Sequence, residues 1–167
     1  ADFIDLAVLG DGEEVVGEIS EIFSQWKSKP QEELDRNDLL KKLAELPGVY
    51  VPSLYEAIFS NGRLVSISPK PEINTPDIVE KRTISDLAAW PYPKNQLVPL
   101  TEVVHDRLNV EIFRGCTRGC RFCQAGMITR PVRERPQEQI VSMVKKGLER
   151  TGYDEVSLTS LSSADFS

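Results

Sequence analysis

The chain contains little of what most often supports catalysis or cross-linking: its 167 residues include one histidine and three cysteines. It contains no run of 18 apolar residues, so the sequence offers no candidate for a membrane-spanning helix. No secretory signal pattern is visible near the first residues. Because three closely spaced cysteines cannot supply a disulfide framework, we expect the reducing environment of the cytoplasm.

The cysteines that are present lie together, as Cys116, Cys120 and Cys123 in the stretch GCTRGCRFC. Thiols this close together and odd in number look like metal ligands rather than disulfide partners. Three ligands instead of four indicate a centre with one position left open for chemistry. Gly115 and Gly119 allow the tight or left-handed backbone that a loop around a small cluster requires.

Zinc and inert thiols are the alternatives for these cysteines. Zinc usually takes four donors, with cysteines in CxxC pairs. His105 is the only histidine and is the one candidate for a fourth donor, but it lies eleven residues before Cys116, at the far end of the preceding strand. An iron–sulfur cluster, held by one cysteine per iron, is therefore favoured.

The charge of the chain is unevenly distributed. The net charge is −6, yet residues 109–150 carry nine Lys and Arg against four Asp and Glu. Positive neighbours lower the pKa of a thiol and favour the thiolate that binds metal. A basic stretch also suits a nucleic-acid surface. We therefore keep a second hypothesis, a zinc- or cluster-holding binding module with a basic surface that faces RNA.

Residues 1–27 predict one strand–turn–helix unit of an α/β layer. Residues 3–9 are a short apolar run typical of a buried strand, and a turn follows at residues 10–12. Glu13 and Glu14 then favour the N-terminus of a helix, where the dipole is positive. Because one such unit cannot bury its own faces, we expect its packing partners upstream of this chain.

Residues 28–108 predict a linker region with a helix and a β-hairpin. Asp38 is expected to cap the helix. Asn61-Gly62 lies between β-like runs and predicts a type I′ turn, because both central positions of that turn need positive φ. The proline-rich residues 69–99 predict an extended segment that wraps over a surface without building a core.

Residues 109–167 predict a parallel βαβ unit. A strand at residues 109–113 leads into the cysteine loop. A helix from Pro136 to Arg150 follows, and a second strand around Val156 completes the unit. In parallel α/β architectures ligands bind at the carboxyl edge of the strands, which is where the cysteine loop lies.

The spacing Cys116-x3-Cys120-x2-Cys123, with Phe122 before the last cysteine, resembles the signature of the radical S-adenosylmethionine (SAM) superfamily. The longer runs that begin at Glu111 (EIFRGCTRGCRFCQAGM), at residue 130 (RPVRER) and at residue 151 (TGYDEVSLTSLSS) are similar to one branch of it. That branch holds largely uncharacterised proteins that often carry a cobalamin-binding-like domain in front. The stretch LGDGEE, which begins at residue 9, resembles the last strand and helix of such a front domain.

The resemblance implies a fold. Residues 1–27 would be the end of a Rossmann-like, cobalamin-binding-like front domain, and residues 28–108 the linker region. Residues 109–167 would be the truncated start of the radical SAM barrel, the first βαβ unit of a parallel (β/α) partial barrel. The cobalamin-contacting pattern Asp-x-His-x-x-Gly is absent, so we assign no cobalamin to this chain.

The resemblance also implies a site. Cys116, Cys120 and Cys123 would bind three irons of a 4Fe-4S cluster, and the amino and carboxylate groups of SAM would chelate the fourth. Reductive cleavage of SAM would then give a 5′-deoxyadenosyl radical. Three further residues would contact SAM: Phe122 near the adenine, unless it packs in a core instead, and Ser160 and Ser162 near the methionine amino group. A Gly-Gly-Glu motif often found at that last position is absent, and no catalytic side chain is implied.

The partners implied are an electron donor such as flavodoxin or ferredoxin and an unknown substrate, with RNA as one candidate and no membrane. The chain begins at Ala1, and it ends at Ser167 soon after a strand-like run. We therefore expect an internal fragment of a longer protein, which alone does not act on a substrate because it holds only one strand–helix unit of the barrel and the following strand.

Overall fold

A computed structural model describes residues 3–71 and 73–167, and it confirms a mixed α/β class. The chain forms two compact units, Ala1–Ile84 and Ser85–Ser167. These units group residues by contact and do not coincide with the three predicted regions, whose boundaries stay a prediction. Within the described ranges, every helix is too short or too polar to cross a bilayer.

The first unit begins with strand β1 (Ala7–Val8) and helix α1 (Val15–Lys27), as predicted. Helix α2 (Arg36–Ala44) and strand β2 (Val49–Tyr50) follow, with short 3₁₀ turns at Gln31–Glu33 and Pro52–Leu54. Strand β1 pairs antiparallel with β2. A Rossmann-like unit pairs its strands in parallel, so that description of the front domain stays a prediction.

The predicted cap of α2 is wrong. Asp35, not Asp38, precedes the helix, and its Oδ1 accepts the backbone N–H of Asn37 at 2.7 Å. Both aspartates fit a helix start in the sequence, and Asp35 has the extended backbone that a cap requires. Asp38 lies in the first turn, where a negative charge also suits the helix dipole.

The core of the first unit forms where one face of each helix meets the chain after α2. Each fully buried valine or leucine there stabilises the fold by roughly 1.5–3 kcal/mol relative to exposure. Its buried members are Val15, Leu40, Ala44, Val49, Val51, Leu54 and Tyr55.

The predicted hairpin is confirmed. Strand β3 (Tyr55–Ser60) pairs antiparallel with β4 (Arg63–Pro69). Asn61 has φ 51° and Gly62 has φ 74°, so both turn residues are left-handed as a type I′ turn demands. Most of the hairpin is exposed.

Residues 82–84 form hydrogen bonds with the loop between β1 and α1. The Arg82 N–H donates to the Leu9 carbonyl at 2.8 Å, and the Asp11 N–H donates to the Arg82 carbonyl at 2.9 Å. Ile84, which is 3% exposed, donates its N–H to Asp11 Oδ2 at 2.9 Å. The expectation that residues 69–99 build no core is therefore wrong, because Ile84 is buried and its backbone is bonded to the first unit.

The second unit contains the predicted βαβ arrangement. Strand β5 (Leu108–Glu111) pairs in parallel with the later strand Val156–Thr159, and the helix Gln137–Thr151 lies between them in the chain. Strand β6 (Phe113–Arg114) pairs antiparallel with β7 (Arg133–Glu134). We call the short helix Ala125–Ile128 α3, the helix Gln137–Thr151 α4 and the strand Val156–Thr159 β8.

Helix α4 packs closely on β5. Pro136 precedes the first helical residue instead of occupying it, and Gly152, with φ 75°, ends the helix. A Cβ added at Gly147 would lie 2.6 Å from Leu108 Cδ2, so glycine permits the close approach. The core comprises Leu108, Val110, Ile112, Phe113, Ile140 and Met143. Two described parallel strands fit a barrel but do not form one, so the partial barrel stays a prediction.

Candidate metal centre

The three cysteines lie on one loop at the carboxyl edge of the parallel strand pair. The loop follows β5 and β6, and the segment 160–167 leaves the same edge at the end of β8. Cys116 is 9% exposed, Cys123 is half-buried and Cys120 is exposed. The exposure of the three thiols therefore increases from Cys116 through Cys123 to Cys120.

A close backbone contact fixes the start of this loop. Gly115 has φ 93°, and a Cβ there would lie 2.5 Å from the Pro131 carbonyl oxygen. Arg130 Nε donates to the Cys116 carbonyl at 3.3 Å. The buried Arg133 donates to the Pro131 carbonyl at 3.1 Å and thereby supports the same segment. The sequence identified the need for glycine but not the segment that imposes it.

Two backbone N–H groups point at cysteine sulfurs. The Arg118 N–H donates to Cys116 Sγ at 3.4 Å, and the Gly126 N–H donates to Cys123 Sγ at 3.4 Å. A Cβ at Gly126 would lie 3.7 Å from Cys123 Sγ and 4.0 Å from Cys116 Sγ, so this glycine adjoins both sulfurs. Hydrogen bonds to sulfur stabilise a thiolate and tune the potential of a cluster it binds.

The arrangement of the three thiols limits which group they could hold. Within residues 3–71 and 73–167, no three His, Cys, Asp or Glu side chains converge on a single ion. A cluster with one cysteine on each iron needs sulfurs spread around a shared volume, and the sulfurs of Cys116 and Cys123 both lie within 4.0 Å of the same point beside Gly126, which fits that group. His105 is exposed and its Nδ1 contacts Arg107 at 2.9 Å, so the structure does not bring it to the cysteines as a zinc ligand.

Two family models match the chain. The model described as "Radical SAM proteins, N-terminal" matches residues 1–52, and that of the "Radical SAM superfamily" matches residues 110–165, the part that contains all three cysteines. The chain belongs to the radical SAM superfamily. Neither a curated protein nor a solved structure was found to match it. The cobalamin-binding-like character of the front part of this radical SAM protein stays a prediction.

The structure places the predicted SAM contacts of this radical SAM protein near the same edge. Phe122 is 92% exposed, so the alternative that it packs in a core is wrong. Ser160 Oγ lies 2.8 Å from Ser163 Oγ, and Ser162 Oγ donates to Asp165 Oδ2 at 2.7 Å. The assignment of Phe122, Ser160 and Ser162 to SAM stays a prediction.

Asp165 is the residue near the site that sequence reasoning missed. Arg118 Nε donates to Asp165 Oδ2 at 2.7 Å, and a second guanidinium nitrogen binds Asp165 Oδ1. The bond from Arg118, assisted by the one from Ser162, lowers the pKa of the Asp165 carboxyl below 3.8. Asp165 raises the pKa of Arg118 in return, first through the hydrogen bond and then through its charge. Nothing in the local sequence pattern signals this pair, because 47 residues separate its members.

A second ion pair stands at the end of β5. Arg114 donates to both carboxylate oxygens of Glu111, at 2.9 and 3.0 Å. Arg121, in contrast, has no hydrogen-bond or ion-pair partner within the described residues. Two arginines of the cysteine region are thus already paired with carboxylates, which leaves less positive charge for an external polyanion than the sequence suggested.

Proposed function

We propose that this chain is the cluster-binding part of a radical SAM enzyme. Cys116, Cys120 and Cys123 each bind one iron of a 4Fe-4S cluster, and the fourth iron is left for SAM. The observation that supports this most is the loop itself: three thiols at the carboxyl edge of a parallel βαβ unit, within the stretch that matches the superfamily. When bound, the cluster supplies the electron that cleaves SAM to a 5′-deoxyadenosyl radical.

The protein's own residues prepare the thiols for metal. The N–H groups of Arg118 and Gly126 stabilise negative charge on two of the three sulfurs. Cys116 is nearly buried, so it forms the water-poor base of the site. Cys120 is exposed, which leaves its sulfur open to a cluster. Exclusion of water at such a site strengthens its electrostatic interactions.

We propose that SAM lies between the cysteine loop and the end of β8. Phe122 offers an exposed aromatic face to the adenine. Ser160 and Ser162 offer hydroxyl groups to the methionine amino group, once they exchange their present partners Ser163 and Asp165. An exposed ring and exchangeable hydroxyl bonds support this placement, because both leave groups available to a ligand.

The wider context belongs to the same proposal. The βαβ unit is the first part of a parallel (β/α) partial barrel, and residues 1–27 end a Rossmann-like front domain. The protein works in the cytoplasm with an electron donor such as flavodoxin or ferredoxin. Its substrate is unidentified, and RNA is one candidate.

Anaerobic reconstitution with iron and sulfide tests the proposal. We expect a brown protein with about four irons per chain and an electron paramagnetic resonance spectrum of the reduced cluster that changes when SAM is added. One tightly held zinc with no colour would instead support the binding module with a basic surface. We expect no substrate-dependent 5′-deoxyadenosine from the 167-residue chain alone, because its described residues contain one parallel strand pair and no closed barrel.

A further inference from the structure

One ion pair ties the cysteine loop to the segment after β8. Arg118 lies between Cys116 and Cys120, and its guanidinium binds both oxygens of Asp165. The backbone N–H of the same Arg118 donates to Cys116 Sγ. Arg118 therefore joins two contacts, one to a ligand sulfur and one to the other strand end.

Asp165 is itself held in place. It lies in the 3₁₀ turn Ser163–Asp165, and its backbone N–H donates to the Ser162 carbonyl at 2.9 Å. Ser162 Oγ also donates to its carboxylate. The next residue, Phe166, stacks on the buried Phe113 with ring centroids 6.3 Å apart. Asp165 is thus anchored to the core, whereas Cys120 on the loop is exposed.

Stability alone does not account for this pair. The Arg118 side chain is 56% exposed, and an ion pair so exposed adds little to folding free energy. What a bidentate pair adds is orientation, because two parallel hydrogen bonds fix the plane of the guanidinium. Arg118 lies between Cys116 and Cys120, so a fixed guanidinium restrains the backbone that positions the sulfurs of these two cysteines.

We propose that Asp165 is a positioning residue for the cluster: by clamping Arg118 it fixes the backbone between Cys116 and Cys120 and presets the separation of their sulfurs. This inference rests on the proposed function, since it concerns the same three-cysteine site. The Arg118–Asp165 pair also links the cysteine loop to the segment that contains Ser160 and Ser162. The segment proposed to bind iron and the segment proposed to bind SAM are therefore connected by an ion pair.

The test is a double-mutant cycle on iron release from the reconstituted 167-residue chain. Asp165→Asn and Arg118→Gln should each accelerate the loss of cluster iron to a chelator about threefold, and the double variant should be no faster than either single one. Pairwise action of this kind is what the cycle isolates. Asp154→Asn and Arg63→Gln are matched controls for charge removal, because both side chains are exposed, lack a side-chain partner within the described residues and lie outside the cysteine loop, and they should release iron at the wild-type rate.

Two further measurements separate positioning from other roles. At neutral pH, the midpoint temperature of the iron-free Asp165→Asn variant should lie within a few degrees of the wild-type value, because the ion pair is exposed. The paramagnetic spectrum of the reduced cluster in the reconstituted variant should broaden. Arg118→Lys should not restore the wild-type release rate, because an ammonium keeps the charge but lacks the bidentate fork. Restoration by lysine would show that charge, not orientation, matters, and would overturn the proposal.

The remaining outcomes are distinguishable. If the wild-type chain takes up no iron, the proposed function fails and this inference fails with it. If the wild-type chain holds iron and Asp165→Asn releases it at the same rate, only the role of Asp165 is wrong. Multiplicative effects in the double variant would show that Arg118 and Asp165 act independently, and would also overturn it.

Discussion

The two units each contain a glycine-bearing loop after a strand, and the two loops differ in what the rest of the chain contributes to them. In the first unit the loop after β1 is filled by residues 82–84, which bond to its backbone and to Asp11. In the second unit the loop after β6 is supported from one side by residues 129–133 and presents thiols on the other. Both loops are followed by a helix, but Asp11 in the first is bonded to residues 82–84, whereas Cys120 in the second is exposed.

The two loops differ in which of their polar groups already have hydrogen-bond partners within the protein. The N–H of Asp11 and the carbonyl of Leu9 are already used within the first unit. In the cysteine loop the polar contacts secure the backbone and two sulfurs, and Cys120 remains exposed. A strand–loop–helix pattern therefore predicts where a ligand site could be, while the rest of the chain decides whether the site is open.

The largest expected effect tests whether iron binding belongs to one loop only. Replacing Cys116, Cys120 and Cys123 together with alanine should abolish iron uptake, from about four irons per chain to none, because no thiolate remains. Asp11→Asn, in the filled loop, should leave iron uptake unchanged. Iron analysis after anaerobic reconstitution measures both, and iron retained by the triple variant would contradict the comparison.

The next effect tests how tightly the first loop is filled. Gly10 has φ 101°, and a Cβ there would lie 1.9 Å from the Arg82 carbonyl oxygen. Gly10→Ala should lower the free energy of unfolding by roughly 3 kcal/mol through clash and backbone strain. Gly12 meets nothing within 4 Å, so Gly12→Ala should change it by less than about 0.5 kcal/mol. Urea denaturation followed by circular dichroism measures the difference, and equal effects would show that residues 82–84 do not close the loop.

The same comparison can be made on the cysteine loop. A Cβ at Gly115 would lie 2.5 Å from the Pro131 carbonyl oxygen, and Gly115→Ala should destabilise by roughly 2–3 kcal/mol. Gly119, with φ 67°, has its nearest contact at 3.7 Å, so Gly119→Ala should show only the left-handed strain of about 1 kcal/mol. Urea denaturation of the iron-free chain should rank them in this order. The reverse order would mean that the open side of the loop is the more constrained one.

The smallest effect concerns the ion pairs that hold the two loops. Arg82 donates to both oxygens of Glu18 at 2.7 and 2.6 Å, and this bond lowers the pKa of Glu18 below 4.5. The bonds from Arg118 and Ser162 likewise lower the pKa of Asp165 below 3.8. A carboxyl with a lowered folded pKa binds its proton less readily when folded, so its stabilising contribution is present above its ordinary pKa and is lost as pH falls through the folded value.

Glu18→Gln should therefore weaken the decline in stability as the pH is lowered below 4.5, with a change of only a few degrees in midpoint temperature because the pair is partly exposed. Asp165→Asn should likewise weaken the decline in the acid range, because the carboxyl with the lowered pKa is removed. Thermal melts between neutral and acidic pH measure this. An unchanged acid profile in both variants would mean that neither pair contributes to folding.

Sequence reasoning succeeded where a rule is local. The Asn61-Gly62 turn, the helix after Glu14 and the parallel βαβ unit all follow from backbone preference and apolar spacing over a few residues. It failed at the cap of α2, where Asp35 and Asp38 both satisfy the local rule and only the backbone conformation selects one. It also failed for the proline-rich stretch, because the burial of Ile84 depends on a loop more than 70 residues away.

The sequence by itself determined the spacing of the three thiols and the superfamily, because both are properties of the chain whatever its fold. Only the tertiary structure decided which loop stays open, that Phe122 is exposed, and that Asp165 meets Arg118. The physical reason is that contacts between distant segments depend on where strands end and how closely backbones approach, and no local propensity encodes either.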